Sequence, residues 1–560
     1  MILTVQDPFA SEFARVQFKN KYSHTKSSGH KEIWGEMTRR VVGSVVAPYM
    51  PNLVDPLTRL IESRKFMPGG RYLASSGRRY PQINNCFLFR AQDSREGWAE
   101  LGFKCTSSLM TGGGIGVVYS DVRAENEYIE GMGGHSTGPL ALMQIQNEAG
   151  RHIKQGGSRR SAIWAGLHWW HKDVFQFIKM KDWPEVVKQQ KAVDYNFPAT
   201  MDGTNISVIL DDDFFIAYRT PGWSKTYRTG QTSYTVTHQW ARDAYWNVVR
   251  SMLINGEPGF SIDTGDNTGE NLRNACTEVT SSDDSDMCNL ASWNLARFDS
   301  LQEFQDAQPL GAAFLLCGSL YSKLPIENMY RVREKNRRLG LGLMGLHEWL
   351  LKRGYRYGPN PELGQWMTAY AQSGAHANLH CDRLGISRPV ATRALAPTGT
   401  ISIVGETTSG CEPIYAVAYK RLYLDGSVWK GQYVVDAAAQ RLIQSGVDPS
   451  LIEDAYTLAE DVERRINFQA WLQTYVDHGI SSTINLPAWG SEHNNESLVS
   501  KFGNTLMDYL PDLRGITAYP DGSRGGQPLT RMRYEDVKDQ VGIEFIDHSE
   551  HSCVSGVCGN

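Results

Sequence analysis

The chain has no Cys-x2-Cys pair, which weighs against a zinc ribbon, and no other metal-ligand set stands out. It has no apolar run near the ~20 residues needed to span a bilayer. Its first residues, Met1-Ile2-Leu3-Thr4-Val5-Gln6-Asp7-Pro8, lack the basic and apolar regions of a secretory leader. The expected setting is therefore the cytoplasm, or that of a host if the source is viral, with no membrane partner. Neither charge dominates: a net charge of -4 and a pI near 6.4 give no basic footprint for a nucleic-acid polymer, although nucleotides stay possible. Pro/Ser-rich linkers, charge runs and internal repeats are missing too, which favours one large catalytic domain with short terminal appendages over several domains. A dinucleotide fingerprint is also missing, because Val117 stands where the last glycine of Gly-x-Gly-x-x-Gly would fall after Gly112.

What is there is ordinary globular material, 41% hydrophobic and 21% charged, and an odd number of cysteines, nine. Scattered through so long a chain they are no disulfide framework, and each thiol is to be read for its own job. Two stretches carry the most information. In Asn274-Ala275-Cys276-Thr277-Glu278 an extended backbone would set all three polar side chains on one face, where they can converge on a substrate. Cys553 and Cys558 lie among Ser, His and Gly with too little apolar around them to bury them, as on a flexible arm. Cys105, Cys317, Cys381 and Cys411 have no partner motif and read as small buried hydrophobes.

Residues 10–65 carry helical periodicity. From Pro68 to Pro520 strand-like pieces (Gly116–Ser120, Ile206–Leu210) alternate with longer amphipathic stretches such as Ala241–Leu253 and Arg338–Leu351, which predicts an α/β fold with parallel strands. The expected division is a helical segment over 1–66, a catalytic domain over 67–541 and a polar tail over 542–560. Three Gly-rich turns punctuate the middle: Gly112 to Gly116, including Gly113 and Gly114; Gln155-Gly156-Gly157-Ser158-Arg159-Arg160; and Pro397-Thr398-Gly399-Thr400-Ile401. Each is a tight turn that also suits phosphate oxygens through backbone N–H and hydroxyl groups.

Taken in order, Asn84-Asn85-Cys86-Phe87, these turns, Asn255 to Gly259, the Asn274 to Glu278 triplet, Cys288-Asn289-Leu290, Arg338 to Gly345 and the terminal cysteine pair resemble the catalytic subunit of ribonucleotide reductase from Met67 to Cys558. The resemblance implies a ten-stranded α/β barrel, two antiparallel halves of five parallel strands, with a central finger loop carrying Cys276. It implies that Cys276 becomes a thiyl radical and takes the 3' hydrogen of a ribose, that Glu278 is the base on the 3' hydroxyl, and that Asn274 is its hydrogen-bonding partner. Cys86 and Cys288 are implied as the pair that ends as a disulfide, recharged by Cys553 and Cys558, which thioredoxin or a glutaredoxin-like protein reduces. Asn85, Gly113, Gly114 and residues 397–401 are implied at the substrate, and Gly156 to Arg160 at the loop that reads a dNTP or ATP specificity effector. The N-terminal segment is too short for an ATP-binding cone.

Within that family the chain resembles the adenosylcobalamin-dependent form, in a compact version suited to a phage or other minimal genome. No Tyr-Tyr dipeptide occurs, whereas forms fed by a separate subunit carry one; the C-terminus lacks a glycyl-radical motif; and Met67 to Leu73 with Ala518 to Arg524 are similar to cobalamin-class segments. A catalytic subunit served by a ferritin-like metal subunit is the alternative. A formate-lyase relative and a non-enzymatic metal or redox protein are the other classes weighed; a terminal dithiol speaks against the first, and zinc content would separate the second. Substrate phosphorylation, and monomer against homodimer, stay open.

Overall fold

The computed structural model describes residues 8–155, 159–193, 197–265, 268–425, 428–523 and 529–546. Ten strands join one sheet: β1 Phe66–Pro68, β2 Cys86–Arg90, β3 Gly114–Val118, β4 Ile163–His168, β5 Thr204–Asp211, β6 Gly259–Asp263, β7 Asp286–Asn294, β8 Leu339–Met344, β9 Thr483–Leu486 and β10 Gly515–Pro520. β3, β4, β6, β7 and β8 are buried along their whole length, as strands covered on both faces must be. β2 through β6 lie side by side and parallel. At the two ends of this group β7 runs antiparallel to β2, and β10 antiparallel to β6. β8 is parallel to β7, and β9 to β10. Parallel bridges Leu341 to Arg393 and Leu395 to Ile480 link β8 to residues 393–395, and these to the chain ahead of β9. β1 pairs antiparallel with β7.

Helices connect the strands, several of them started by a side-chain cap. Ser94 accepts from Gly97 N at Arg95–Met110, Thr237 from Trp240 N at His238–Asn255, and Ser300 from Glu303 N at Leu301–Tyr321, satisfying otherwise orphaned amides. Gly256 ends His238–Asn255 at φ +80°, the left-handed exit that glycine adopts without strain. Arg338–Leu351, expected to be one amphipathic stretch, is instead β8 followed by the helix Leu346–Lys352. The period is two in Leu339-Gly340-Leu341-Gly342-Leu343, and glycine is needed there: a Cβ on Gly340 would lie 2.2 Å from Leu290 Cδ2, and one on Gly342 2.7 Å from the Ala394 carbonyl.

The N-terminal helices Glu12–Lys21, Trp34–Val45 and Val54–Glu62 share a core with the central sheet, where Phe18, Val41 and Leu57 pack in one cluster with Trp293, Phe314 and Leu341. A second core covers the outer side of the parallel group. Phe87 and Phe89 of β2 face it, while Cys86 and Leu88 face a small inner cluster with Leu272, Val279 and Cys288, as strand alternation requires. A separate antiparallel sheet, not expected from the sequence, joins Leu529–Met532, Ala418–Asp425, Val428–Val435 and Glu544–Ile546. Its last strand lies inside the span expected to be tail; three residues are too few to show an alternation. Cys553, Cys558 and Gly156, Gly157 and Ser158 lie outside the described residues. Among the described residues no helix is long and apolar enough to cross a membrane, and no His, Cys, Asp or Glu cluster could hold a metal ion.

Candidate active site

Between β6 and β7 the chain forms a short hairpin, Leu272–Arg273 paired antiparallel with Thr280–Ser281, whose tip is residues 274–279. The tip is a turn, not the extended segment expected. Thr277 N donates to the Asn274 carbonyl at 3.0 Å, and Thr277 sits at φ +67°. The Asn274 carboxamide explains why: its Oδ1 accepts from Val279 N at 2.9 Å, a local side-chain bond that outcompetes a ladder. The three polar residues therefore do not share a strand face. Asn274 and Glu278 are buried against the thiol of β2, while Cys276 at the tip is half-buried.

The hairpin can lie this close to the sheet only because glycines make room. A Cβ on Gly116 would stand 1.8 Å from the Arg273 carbonyl oxygen, one on Gly114 3.0 Å from Ala275 Cβ, and one on Gly479 2.9 Å from the Thr277 carbonyl. A Cβ on Gly113 would stand 2.1 Å from Phe87 Cε2. Protein packing thus accounts for Gly113 and Gly114. Gly116→Ala should lower stability by at least ~1–3 kcal/mol, the usual cost of overpacking, because backbone cannot yield as a side chain does; a denaturant titration checks it. Gly131→Ala, with nothing within 4 Å of its Cβ, is the control expected to leave the midpoint unchanged.

Cys86 and Cys288 are direct partners across the antiparallel β2–β7 ladder. Residues so opposed have Cα atoms ~4.5–5.5 Å apart, within the range a disulfide spans, and both thiols are free here. Asn274 Nδ2 donates to Cys86 Sγ at 3.0 Å, and Cys86 Sγ lies 4.0 Å from Glu278 Oε1. Glu278 Oε2 is buried with no hydrogen-bond partner, a proton acceptor held ready inside the protein. Burial pushes the Glu278 carboxyl up to about 7, against the nearby Asn274 amide. Burial, then the Glu278 charge, raises both Cys86 and Cys288 well above the usual thiol range, with the other cysteines adding for Cys86 and Asp286 for Cys288. Both therefore hold their hydrogens at neutral pH.

Asn85, next to Cys86, donates its backbone N–H to the Cys288 carbonyl at 3.2 Å; its buried side-chain Oδ1 has no hydrogen-bond partner. Residues 397–401 leave the inner cluster at Ala396 and enter the helix Gly399–Gly405 through Thr398, at φ +50°, whose Oγ1 accepts from Gly410 N at 2.7 Å. Arg159 and Arg160 form a two-residue ladder with Lys154 and Gln155. A cavity of about 270 Å³ opens at the hairpin tip, lined by Cys276 but neither Asn274 nor Glu278; Trp164, Asn205, Glu257, Pro397, Thr517 and Tyr519 are among its walls. Of these the sequence reading singled out Pro397, with Glu257 and Tyr519 inside the segments Asn255–Gly259 and Ala518–Arg524; Trp164, Asn205 and Thr517 carry no local motif. Cys276 thus lines that cavity, while Asn274 and Glu278 of the same tip join the thiol–carboxylate cluster.

Set beside known proteins, residues 84–363 and 387–509 match the family model described as ribonucleotide reductase, barrel domain. The chain belongs to the ribonucleotide reductase family. It is 25% identical over 609 aligned positions to a vitamin B12-dependent ribonucleoside-diphosphate reductase of Mycobacterium tuberculosis (strain CDC 1551 / Oshkosh), covering 97% of this chain and 84% of the relative. A protein of the same name from Thermoplasma acidophilum is 24% identical over 542 positions, 87% of this chain and 67% of the relative. A ribonucleoside-diphosphate reductase large subunit of Plasmodium falciparum (isolate Dd2) is 26% identical over 331 positions, 53% of this chain and 41% of the relative.

Proposed function

We propose that the chain reduces ribonucleotides to 2'-deoxyribonucleotides by thiyl-radical chemistry at Cys276. The observation that carries this reading is the grouping of Cys86, Cys288, Asn274 and a buried Glu278 carboxylate with one oxygen unpartnered, beside a hairpin tip that bears a further thiol. The Cys276 thiyl takes the 3' hydrogen of the ribose while Glu278 accepts the 3' hydroxyl proton. The 2' hydroxyl leaves as water with a proton from one thiol of the Cys86–Cys288 pair, and the other thiol's hydrogen goes to C2'. The pair's two electrons reduce the sugar as the two sulfurs join, and Glu278 returns its proton to the 3' oxygen. Cys276 then returns its hydrogen to C3' and recovers the thiyl. The raised thiol pKa values suit this role, since Cys86 and Cys288 must carry protons to give. The strand pairings support a closed barrel of two antiparallel five-stranded halves, residues 393–395 serving as one strand, with the Cys276 hairpin as its finger loop.

A buried disulfide cannot meet a bulky reductant. Cys553 and Cys558 therefore exchange with it, the tether making this effectively intramolecular, and a thioredoxin- or glutaredoxin-like protein reduces them. Residues 397–401, with Asn85, receive the substrate phosphates and sugar, and Gly156 to Arg160 answer to a nucleotide effector. The Mycobacterium tuberculosis and Thermoplasma acidophilum relatives, which align along most of this chain, are named diphosphate reductases, so a ribonucleoside diphosphate is the proposed substrate. A cytoplasmic setting, where thiols stay reduced, suits the chemistry.

The same relatives are named vitamin B12-dependent, and the cavity at Cys276 fits part of that cofactor. About 270 Å³ lies just under the ~300 Å³ at which small-molecule sites begin: room for an adenosyl group, not a whole corrin. Asn205, Ser207, Ser481, Thr517 and Tyr519 offer the amide and hydroxyl groups a nucleoside's polar atoms need. These residues would hold the adenosyl end of adenosylcobalamin, which when bound supplies a carbon-centred radical able to take a hydrogen atom from a thiol. Tyr519 in the same wall keeps a second reading open, radical delivery from a ferritin-like subunit through an aromatic relay. Purified chain given ribonucleotide, effector and dithiol should make deoxynucleotide when adenosylcobalamin is added and nothing without it. Activity only on addition of a ferritin-like subunit, lost in Tyr519→Phe, would establish the second reading instead.

A further inference from the structure

The base of the Cys276 hairpin is held by a buried charged network that the chemistry above does not use. Arg338, at the mouth of β8, sends Nε to Asp286 Oδ2 at 2.8 Å and Nη2 to Glu270 Oε1 at 2.7 Å. Asp286 begins the strand that carries Cys288, and its Oδ2 also accepts from Ser281 Oγ at 2.6 Å and from Asn336 Nδ2 at 2.8 Å. Glu270 precedes the incoming stem; its Oε2 accepts from Thr280 Oγ1 at 2.7 Å, while its carbonyl accepts from Arg273 Nη1. One guanidinium thus reaches the incoming stem through Glu270, just ahead of it, and the outgoing stem through two carboxylates, Glu270 at Thr280 and Asp286 at Ser281. Thr280 is fastened a second time, by His478 Nδ1 at 3.2 Å.

The side chains of Arg338 and Asp286 are only 3% and 0% exposed. Taking such a pair out of water costs several kcal/mol per ion, and the packing around it needs no charge. What the pair supplies is geometry: a planar fork with two fixed directions, where an ammonium offers one point of charge. Cys276 lies within the loop those stems close, and Cys288 two residues beyond Asp286.

We propose that Arg338 is a positioning residue that fixes the Cys276 hairpin against the Cys86–Cys288 pair. This rests on the reading of the site as a thiyl-radical reductase. Arg338→Lys keeps the charge and loses one arm of the fork. The double variant Arg338→Met/Asp286→Asn removes the two charges of the fully buried pair and leaves Glu270, whose side chain is 19% exposed, to be solvated. Replacing both partners of a buried pair commonly costs little stability, whereas removing one costs a great deal, so it serves if the lysine variant does not fold.

Two quantities are to be measured on the full chain. Deoxynucleotide turnover should fall at least ~10-fold with substrate KM unchanged, since a misplacement of about 1 Å can cost ~10²-fold. Alkylation of Cys276 by iodoacetamide, read on its own peptide by mass spectrometry, should become several-fold faster as the tip loosens. A Cys276 alkylation rate equal to that of wild type in a folded variant overturns the proposal, whatever the turnover. If wild type makes no deoxynucleotide, the functional reading fails, and the alkylation rates still decide whether Arg338 holds the hairpin.

Discussion

Cys276→Ser should give a folded chain that binds nucleotide as wild type does and makes no deoxynucleotide. The side chain is half-buried at a hairpin tip, and the stems, the Asn274 bond to Val279 and the glycine cradle do not involve its sulfur, so oxygen in its place leaves the loop intact. The chemistry is another matter. A serine O–H bond is far stronger than a thiol S–H bond, and every ~1.36 kcal/mol added to the barrier costs a factor of ten. Turnover should drop by at least about 10³-fold with the nucleotide Kd unchanged; a tenth of wild-type turnover remaining would remove Cys276 from the mechanism.

Glu278→Gln should split activity from stability. Losing a general base commonly costs ~10²–10⁴-fold, and turnover should fall by that much. In wild type the working form is the carboxylate, so activity limited by this step should rise with pH through about 7, and the variant's residual activity should lack that limb. Stability runs the other way. The folded pKa lies above the ordinary value of 4.5, so the folded state favours the proton; this contribution is fully present below about 4.5 and lost as pH rises through about 7. The rise from 4.5 to about 7, converted at ~1.36 kcal/mol per pH unit, amounts to about 3 kcal/mol. Glutamine never ionises, so at pH 8 the variant should be the more stable protein by up to about that amount, read from chemical denaturation at pH 5 and pH 8. A variant less stable than wild type at pH 8, or one with full turnover, would show Glu278 to be a packing residue.

The chemistry was more legible in the sequence than the geometry that serves it. Asn274 and Glu278 could be named from one short polar motif and Cys86 and Cys288 from the family resemblance of the segments that carry them, and the four do meet in space. How they meet could not be read. Asn-x-Cys-x-Glu suggested a pleated strand, and the turn at Thr277 instead follows from an asparagine side chain capturing the amide of Val279. The alternation of β3 and β8 is hidden by glycines that look like turn formers; Gly116 and Gly340 are there because a neighbouring backbone or side chain occupies the space of a Cβ. The four-stranded sheet of residues 418–435, 529–532 and 544–546 went unread since two of its strands are very short. Glu270, Asp286 and Arg338 lie far apart along the chain and carry no pattern until the fold joins them.

The central claim is that Cys276 initiates a reaction for which Cys86 and Cys288 hold the two electrons, and a single turnover tests it most directly. Chain reduced beforehand, freed of external thiol and mixed with ribonucleotide, effector and adenosylcobalamin should yield about one deoxynucleotide per chain from this pair, and more only if Cys553 and Cys558 exchange with it. Peptide mapping of samples quenched before that exchange should find a Cys86–Cys288 disulfide in step with product, and neither in Cys276→Ser. Product formed while Cys86 and Cys288 both remain thiols, or formed equally by Cys276→Ser, would contradict the account.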